Sequence, residues 1–112
     1  MSNDEDKILT NLRKGVLEFS VLAALAKERG YGRNLAHSLS ERGLIASEGT
    51  LYPLLSRLRS TGLVDTELSD PADGRQRRYY TLTPAGRARL DGFRAAWVPL
   101  RDTVDELLET TP

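Results

Sequence analysis

The sequence predicts a small α+β domain that is mostly helical, with one β-hairpin and a long final helix. Apolar residues recur at steps of three and four over most of the chain, which is typical of amphipathic helices. The step changes to two between Val64 and Leu68, which is typical of a strand. The 112 residues are enough for one domain built around a single core.

Composition excludes several kinds of chemical site. The chain has no cysteine, which excludes disulfides, thiolate metal sites and a cysteine nucleophile. His37 is the only histidine, no glycine-rich phosphate loop occurs, and no serine has an evident catalytic base. We therefore predict a protein that is not an enzyme and needs neither metal nor cofactor. Because no apolar run has the length of a membrane span, we expect no membrane contact and a cytoplasmic location.

Charge is balanced overall but unevenly distributed. Sixteen basic and sixteen acidic residues give a formal net charge of zero. Between Arg29 and Arg89 ten basic residues stand against six acidic ones, whereas from Leu90 onward five acidic residues stand against two basic ones. Because local basic patches bind nucleic acids, the first of these regions suits phosphate contact and the second does not.

The first helix is predicted to follow a disordered segment over residues 1–7. It starts at Ile8 or Asn11 and runs to Arg29, where Gly30 ends it. Its wide apolar face suits a core helix or a helix shared with a partner subunit. The residues that mark this face are Leu12, Val16, Phe19, Leu22 and Ala26.

A short second helix is predicted from Gly32 to Arg42, with Gly43 at its C-terminal end. Leu35 and Leu39 supply its buried stripe. A short apolar segment then leads to a third helix. Two short helices joined by a glycine-containing turn are typical of the helix-turn-helix motif.

The third helix, over residues 47–59, is the candidate recognition helix. Its outer face is rich in hydrogen-bond donors and poor in acids, which suits the major groove of DNA, although an ordinary surface helix is also polar outside. Ser47 or Thr50 caps it. With Thr50 as the cap, Pro53 lies in the first turn, where its missing N–H costs little. The inner face carries Leu51, Leu54, Leu55 and Leu58.

A β-hairpin follows the third helix. Its first strand runs from Val64 to Leu68, and its second strand, rich in β-formers, spans residues 77–82. The tip between them is dense in turn formers and carries Arg75 and Arg77. A basic hairpin after a helix-turn-helix is the order of a winged helix. Residues 8–82 are therefore predicted to form a winged helix-turn-helix DNA-binding domain.

The final helix is predicted over residues 83–109, in the same compact unit, with Thr83 as its N-cap and Pro84 at its first position. Residues 110–112 are predicted to be a frayed tail. The apolar residues of the final helix form a heptad seam with more apolar surface than a small winged domain needs. We predict a dimerisation helix; the alternative is that the seam packs only on the first helix of its own chain. The predicted dimer interface comprises Leu90, Phe93, Trp97, Leu100, Val104 and Leu107.

Three motifs occur together along the chain. They are Tyr31-Gly32, Gly49-Thr50-Leu51-Tyr52-Pro53-Leu54-Leu55 with Arg57-Leu58, and Arg78-Tyr79-Tyr80-Thr81-Leu82-Thr83 with Gly86. Over about residues 12–108 the chain resembles the PadR family of bacterial winged-helix transcriptional regulators, in its short subfamily with one C-terminal helix. The resemblance implies a homodimer that represses from a pseudo-palindromic double-stranded operator. It also implies effectors such as phenolic acids or planar hydrophobic compounds.

Seven residues are predicted to contact DNA, from the second helix, the third helix and the hairpin tip. The start of the third helix offers backbone N–H groups to phosphates, and the hairpin arginines reach the backbone or an adjacent minor groove. Two alternatives stay open: Tyr52 as a core residue and Arg57 as a solvated one. The seven residues are Tyr31, Ser47, Thr50, Tyr52, Arg57, Arg75 and Arg77.

Trp97, with Phe93, is the predicted effector site. In drug-sensing members of the family that the chain resembles, a tryptophan on this helix stacks on planar ligands across the dimer axis. The alternative is that Trp97 belongs to the dimer core.

An alternative function for the whole chain is a winged-helix protein-interaction module that does not read DNA. The zero net charge favours this alternative.

Overall fold

The computed structural model describes residues 3–69, 74 and 76–110. Within them, four helices and a three-stranded antiparallel sheet of order β1-β3-β2 form a mostly helical α+β fold, which confirms the predicted fold class. Arg75, most of the hairpin tip and residues 111–112 lie outside the described residues. The elements are α1 (Asn3–Lys27), β1 (Gly30–Tyr31), α2 (Gly32–Glu41), α3 (Leu51–Ser60), β2 (Val64–Ser69), β3 (Arg77–Leu82) and α4 (Pro84–Glu109).

The first helix differs from its prediction at both ends. It begins at Asn3, within the segment predicted to be disordered, because three acidic residues occupy its first turn and favour a helix N-terminus. It ends at Lys27, two residues before Arg29. The short strand β1 follows, and Tyr31 of β1 pairs with Tyr79 of β3. A two-residue strand has no periodicity, so the sequence pattern did not reveal it.

The third helix starts in two steps. A 3-10 turn over Glu48–Thr50 follows Ser47, whose backbone is extended, and Thr50 stands at the N-cap of α3. Pro53 is therefore the third residue of α3, where its missing N–H breaks no hydrogen bond of that helix. Neither cap residue makes a capping hydrogen bond, and their two hydroxyl oxygens lie 3.4 Å apart. Ser47 thus occupies the N-cap position of the 3-10 turn, and Thr50 occupies that of α3.

The core lies between the second half of α1, the inner faces of α2 and α3, and the start of α4. The four leucines predicted for the inner face of α3 are all buried. Leu90 of α4 is 1% exposed and belongs to this same core, so it is not available to a partner subunit. The predicted dimer interface is therefore wrong at Leu90: the first turn of the heptad seam packs within its own chain.

The heptad seam is exposed from Trp97 onward, whereas Phe93 is partly buried against the core. Val104 is 45% exposed, and the other seam residues beyond Trp97 are more exposed still. We call Leu100, Val104, Leu107 and Leu108 the α4 stripe, because their spacing places them on one side of the helix. A second exposed set on the first half of α1, the α1 stripe, comprises Ile8, Leu9 and Leu12. No helix in the described residues has the length and apolar character needed to cross a membrane.

Candidate nucleic-acid interface

The start of α2, one side of α3 and the start of β3 line a groove of about 440 Å³, which we call the basic groove. Three of its lining side chains are arginines, and none of the described lining residues is acidic. A concave surface of one charge sign attracts the opposite charge, here phosphate. The lining residues are Tyr31, Gly32, Arg33, Tyr52, Gln76, Arg77, Arg78 and Tyr80.

Pairing of β1 with β3 fixes one wall of the basic groove. Tyr31 lies opposite Tyr79, and the two rings meet edge to face with centroids 5.5 Å apart. The Arg77 guanidinium carbon lies 5.3 Å from the centre of the Tyr31 ring, within range of a cation–π interaction. The first residue of the returning strand is thereby held beside the start of α2.

Tyr52 forms the opposite wall. Its side chain is on the surface, since Tyr52 is 44% exposed, which argues against the core alternative. The ring lies against Gly32: a Cβ atom at Gly32 would come within 2.9 Å of the Tyr52 Cε1 atom. The glycine of the Tyr31-Gly32 motif thus leaves room for a tyrosine from α3 over the N-terminus of α2.

The N-terminus of α2 opens toward this groove. Its cap residue, Tyr31, makes no side-chain capping hydrogen bond, and the first turn of α2 holds no acidic residue. Backbone N–H groups at such an end bind anions. Arg33 stands in this turn, although a cation at a helix N-terminus is disfavoured by the helix dipole. That unfavourable placement was a sequence signal that pointed to Arg33. The predicted DNA contacts did not include Arg33, nor Gln76 and Arg78, which also line the basic groove.

A model of the "Transcriptional regulator PadR-like family" matches residues 21–92. The chain belongs to the PadR-like family. Transcriptional regulator Rv3488 of Mycobacterium tuberculosis is 39% identical over 88 residues, which cover 79% of this chain and 81% of that protein. These matches confirm the predicted family, and they confirm that the protein is a transcriptional regulator and not an enzyme.

Solved structures of PadR-like proteins share the fold of this chain. The PadR family transcriptional regulator from Eggerthella lenta superposes with a TM-score of 0.83 at 37% identity, covering 97% of this chain and 96% of that one. Bacillus subtilis PadR in complex with operator DNA superposes with a TM-score of 0.62 at 25% identity, covering 70% of this chain and 46% of that one. A PadR protein that shares the fold of this chain thus binds operator DNA.

The predicted DNA contacts fall on two sides of α3 in this PadR-like chain. Tyr31, Tyr52 and Arg77 line the basic groove. Thr50 and Arg57 line a separate crevice between α1, α3 and α4, where Arg57 approaches a carboxylate of α1. Ser47 is exposed before the 3-10 turn, and Arg75 lies outside the described residues.

Three aromatic rings form a stack between α1 and α4 of this PadR-like chain. Phe19 and Phe93 stack with ring centroids 4.1 Å apart and planes 12° apart. Phe93 stacks in turn on Trp97, at a centroid distance of 5.5 Å. Phe93 thus already contacts two rings of its own chain, whereas Trp97, which is 36% exposed, forms the outer end of the stack.

Proposed function

We propose that the protein is a sequence-specific DNA-binding repressor that acts in the cytoplasm as a homodimer on a pseudo-palindromic operator. The observation that carries this proposal is the basic groove. In it, four elements, β1, α2, α3 and β3, bring Tyr31, Arg33, Tyr52 and Arg77 to one face. Arginine, tyrosine and a helix N-terminus are all donors to phosphate oxygens. Phosphate contacts on this wall would orient α3 for reading base edges in the major groove.

The two exposed stripes support the homodimer. The α1 stripe and the α4 stripe carry seven large apolar residues that are 42–67% exposed in the isolated chain. Exposed apolar stripes of this kind are typical of interaction sites. A second copy covers both stripes by a two-fold arrangement and places two α3 helices on one side of the dimer. Their separation must match one turn of DNA, about 34 Å, for both half-sites to be bound.

A mobility-shift assay with the DNA upstream of the protein's own gene tests direct binding. Arg33→Ala and Arg77→Ala are expected to weaken binding to operator and random duplex alike, because both side chains would contact phosphate. Each substitution should also flatten the slope of log affinity against log salt by about 0.9.

Arg94→Ala is the matched control, because it removes the same charge from α4, where Arg94 pairs with Asp91 at 3.4 Å. Its salt slope should equal that of the wild type. If the wild-type protein retards neither duplex at low salt, the DNA-binding proposal fails and the protein-interaction module is favoured. Unchanged slopes in both groove variants would remove the basic groove from the interface.

We further propose that a planar hydrophobic or phenolic compound releases the operator by binding at Trp97. The exposed ring at the end of the aromatic stack supports this, since flat ligands favour stacked aromatic surfaces. Trp97 is the only tryptophan, so its fluorescence reports on this site alone. We expect a planar polycyclic dye or a phenolic acid to quench it saturably and to lower operator affinity at the same concentration. Quenching without loss of operator affinity would argue against an effector role.

A further inference from the structure

Glu18 of α1 lies between two arginines from different helices. Its Oε2 atom accepts a hydrogen bond from Nε of Arg89 on α4 at 2.7 Å. Its Oε1 atom lies 3.6 Å from an Nη2 atom of Arg57 on α3. One carboxylate therefore joins the proposed DNA-reading helix to the proposed dimerisation helix.

Burial distinguishes the carboxylate of this cluster, whereas its partners Arg57 and Arg89 are themselves 63% and 53% exposed. The Glu18 side chain is 19% exposed, whereas the side chains in the other pairs are 47–69% exposed. Exposed pairs are screened by water and salt and hold their side chains weakly, while a partly buried carboxylate is screened less. Glu18 is thus suited to fix the position of an arginine.

Arg89 makes a second contact with α1, beside its bond to Glu18. The Arg89 guanidinium carbon lies 5.7 Å from the centre of the Phe19 ring, and Phe19 stacks on Phe93 of α4. Movement of α4 relative to α1 would therefore disturb the aromatic stack and the Arg89–Glu18 bond together. The Arg57–Glu18 approach depends on the same carboxylate.

Arg57 stands five residues after Tyr52 on α3, a rotation of about 140° around the helix. The two side chains therefore flank α3 on different sides, with Tyr52 in the basic groove. A helix of roughly 10–12 Å diameter fills a major groove about 12 Å wide, so its flanks face the two phosphate backbones. An Arg57 released from Glu18 would stand within reach of one of them.

We propose that Glu18 is a positioning residue that withholds Arg57 from DNA phosphates and ties its release to the position of α4. The inference rests on the proposed function, since it assumes that α3 enters DNA. While Glu18 holds Arg57, the flank of α3 opposite the basic groove contributes little charge to DNA binding. When Arg89 of α4 draws the shared carboxylate to itself, Glu18 lets go of Arg57 and that flank gains one cation.

The test compares salt slopes of binding to operator and random duplexes for Glu18→Gln, Arg57→Gln and the double variant. Glu18→Gln should raise affinity for random DNA and steepen the slope by about 0.9, the effect of one added phosphate contact. Arg57→Gln alone should leave the slope close to that of the wild type. In the double variant the gain should disappear, because it depends on Arg57.

Glu28→Gln is the control for net charge, since it removes the same charge from an exposed residue just after α1. A purely structural role for Glu18 would lower thermal stability without an Arg57-dependent change of slope. An unchanged slope in Glu18→Gln, or a change that persists in the double variant, would overturn the proposal.

Arg89→Gln provides a second variant that keeps the carboxylate. It leaves Glu18 to Arg57 alone, so the slope should stay the same or become flatter, and a steeper slope would also overturn the proposal. A wild-type protein that binds no DNA would overturn the proposed function and this inference together. Wild-type binding with no slope change in Glu18→Gln would overturn the inference alone.

Discussion

Replacing Val104 with aspartate is expected to convert the proposed dimer into a monomer and to lower operator affinity by at least about 100-fold. Val104 lies in the middle of the α4 stripe and is 45% exposed in the isolated chain. In the dimer the substitution would bury an unpaired carboxylate in each subunit, and one such uncompensated charge costs about 3–5 kcal/mol. Loss of the dimer turns two-site binding into one-site binding, which removes an avidity gain of about 10²–10⁴.

Ala95→Asp is the matched control for this substitution. Nine residues separate positions 95 and 104, so the two side chains point to opposite sides of α4, and both changes add one negative charge to the same helix. Sedimentation velocity should show a dimer for Ala95→Asp and a monomer for Val104→Asp at equal concentration. The thermal stability of the monomer is not expected to fall through lost core packing, because Val104 makes no part of the core.

The outcomes separate the dimer from the DNA interface. If Val104→Asp remains a dimer, the α4 stripe is not the subunit interface. If it becomes a monomer but binds the operator as tightly as the wild type, the operator does not need two copies of α3. Only the joint loss of dimer and affinity supports a homodimer on a two-half-site operator.

Helix and strand positions were largely predictable because they depend on neighbours in sequence. The strand Arg77–Leu82 and the helix Pro84–Glu109 have the bounds that their patterns predict. Thr83 caps α4 as expected, accepting a hydrogen bond from the backbone N–H of Gly86 at 3.0 Å. These features follow from residue type and spacing over a few positions.

The heptad seam shows where spacing stops being informative. Leu90 and Val104 occupy equivalent positions of one apolar pattern, yet Leu90 is buried in its own chain and Val104 is exposed. A pattern of steps of three and four reports which face of a helix is apolar, but not which surface covers it. That assignment depends on where α4 extends beyond the core, which is a property of the tertiary structure.

Contacts between distant residues were not predictable either. In the sequence, Glu18 is indistinguishable from the other polar residues of α1, because its partner Arg89 is 71 positions away. Arg57 was predicted as a DNA contact or a solvated residue, and the approach of the Glu18 carboxylate to it was not foreseen, because Glu18 lies on another helix. Arg33 was missed because the groove that it lines forms only when Tyr52 and the start of β3 come together.

Gly86 was named in the sequence only as part of a family motif, and the structure supplies its physical reason. A Cβ atom at this buried position would lie 2.1 Å from the backbone carbonyl oxygen of Leu63 and 2.6 Å from a methyl carbon of Leu82. The same Leu63 carbonyl accepts a hydrogen bond from the Thr83 N–H at 3.2 Å. The first turn of α4 therefore lies directly on the backbone that leads into β2, and only glycine allows this approach.

Gly86→Ala is expected to lower the free energy of unfolding by about 3 kcal/mol, the upper end of the cost of overpacking, because backbone has to move. The shift would push α4 away from Leu63 and loosen the packing of Leu90 in the core. Urea denaturation followed by circular dichroism, at one fixed protein concentration, measures the change.

Gly92→Ala makes the same chemical change in the same helix with the opposite expected sign. No atom lies within 4 Å of a Cβ at Gly92, so the alanine should stabilise the helix by up to about 1 kcal/mol through its higher helix propensity. A difference of about 4 kcal/mol between the two variants would then report the close approach at Leu63, because both exchange glycine for alanine in the same helix. If Gly86→Ala is as stable as Gly92→Ala, α4 can move without cost, and the junction does not fix α4 to the β-hairpin.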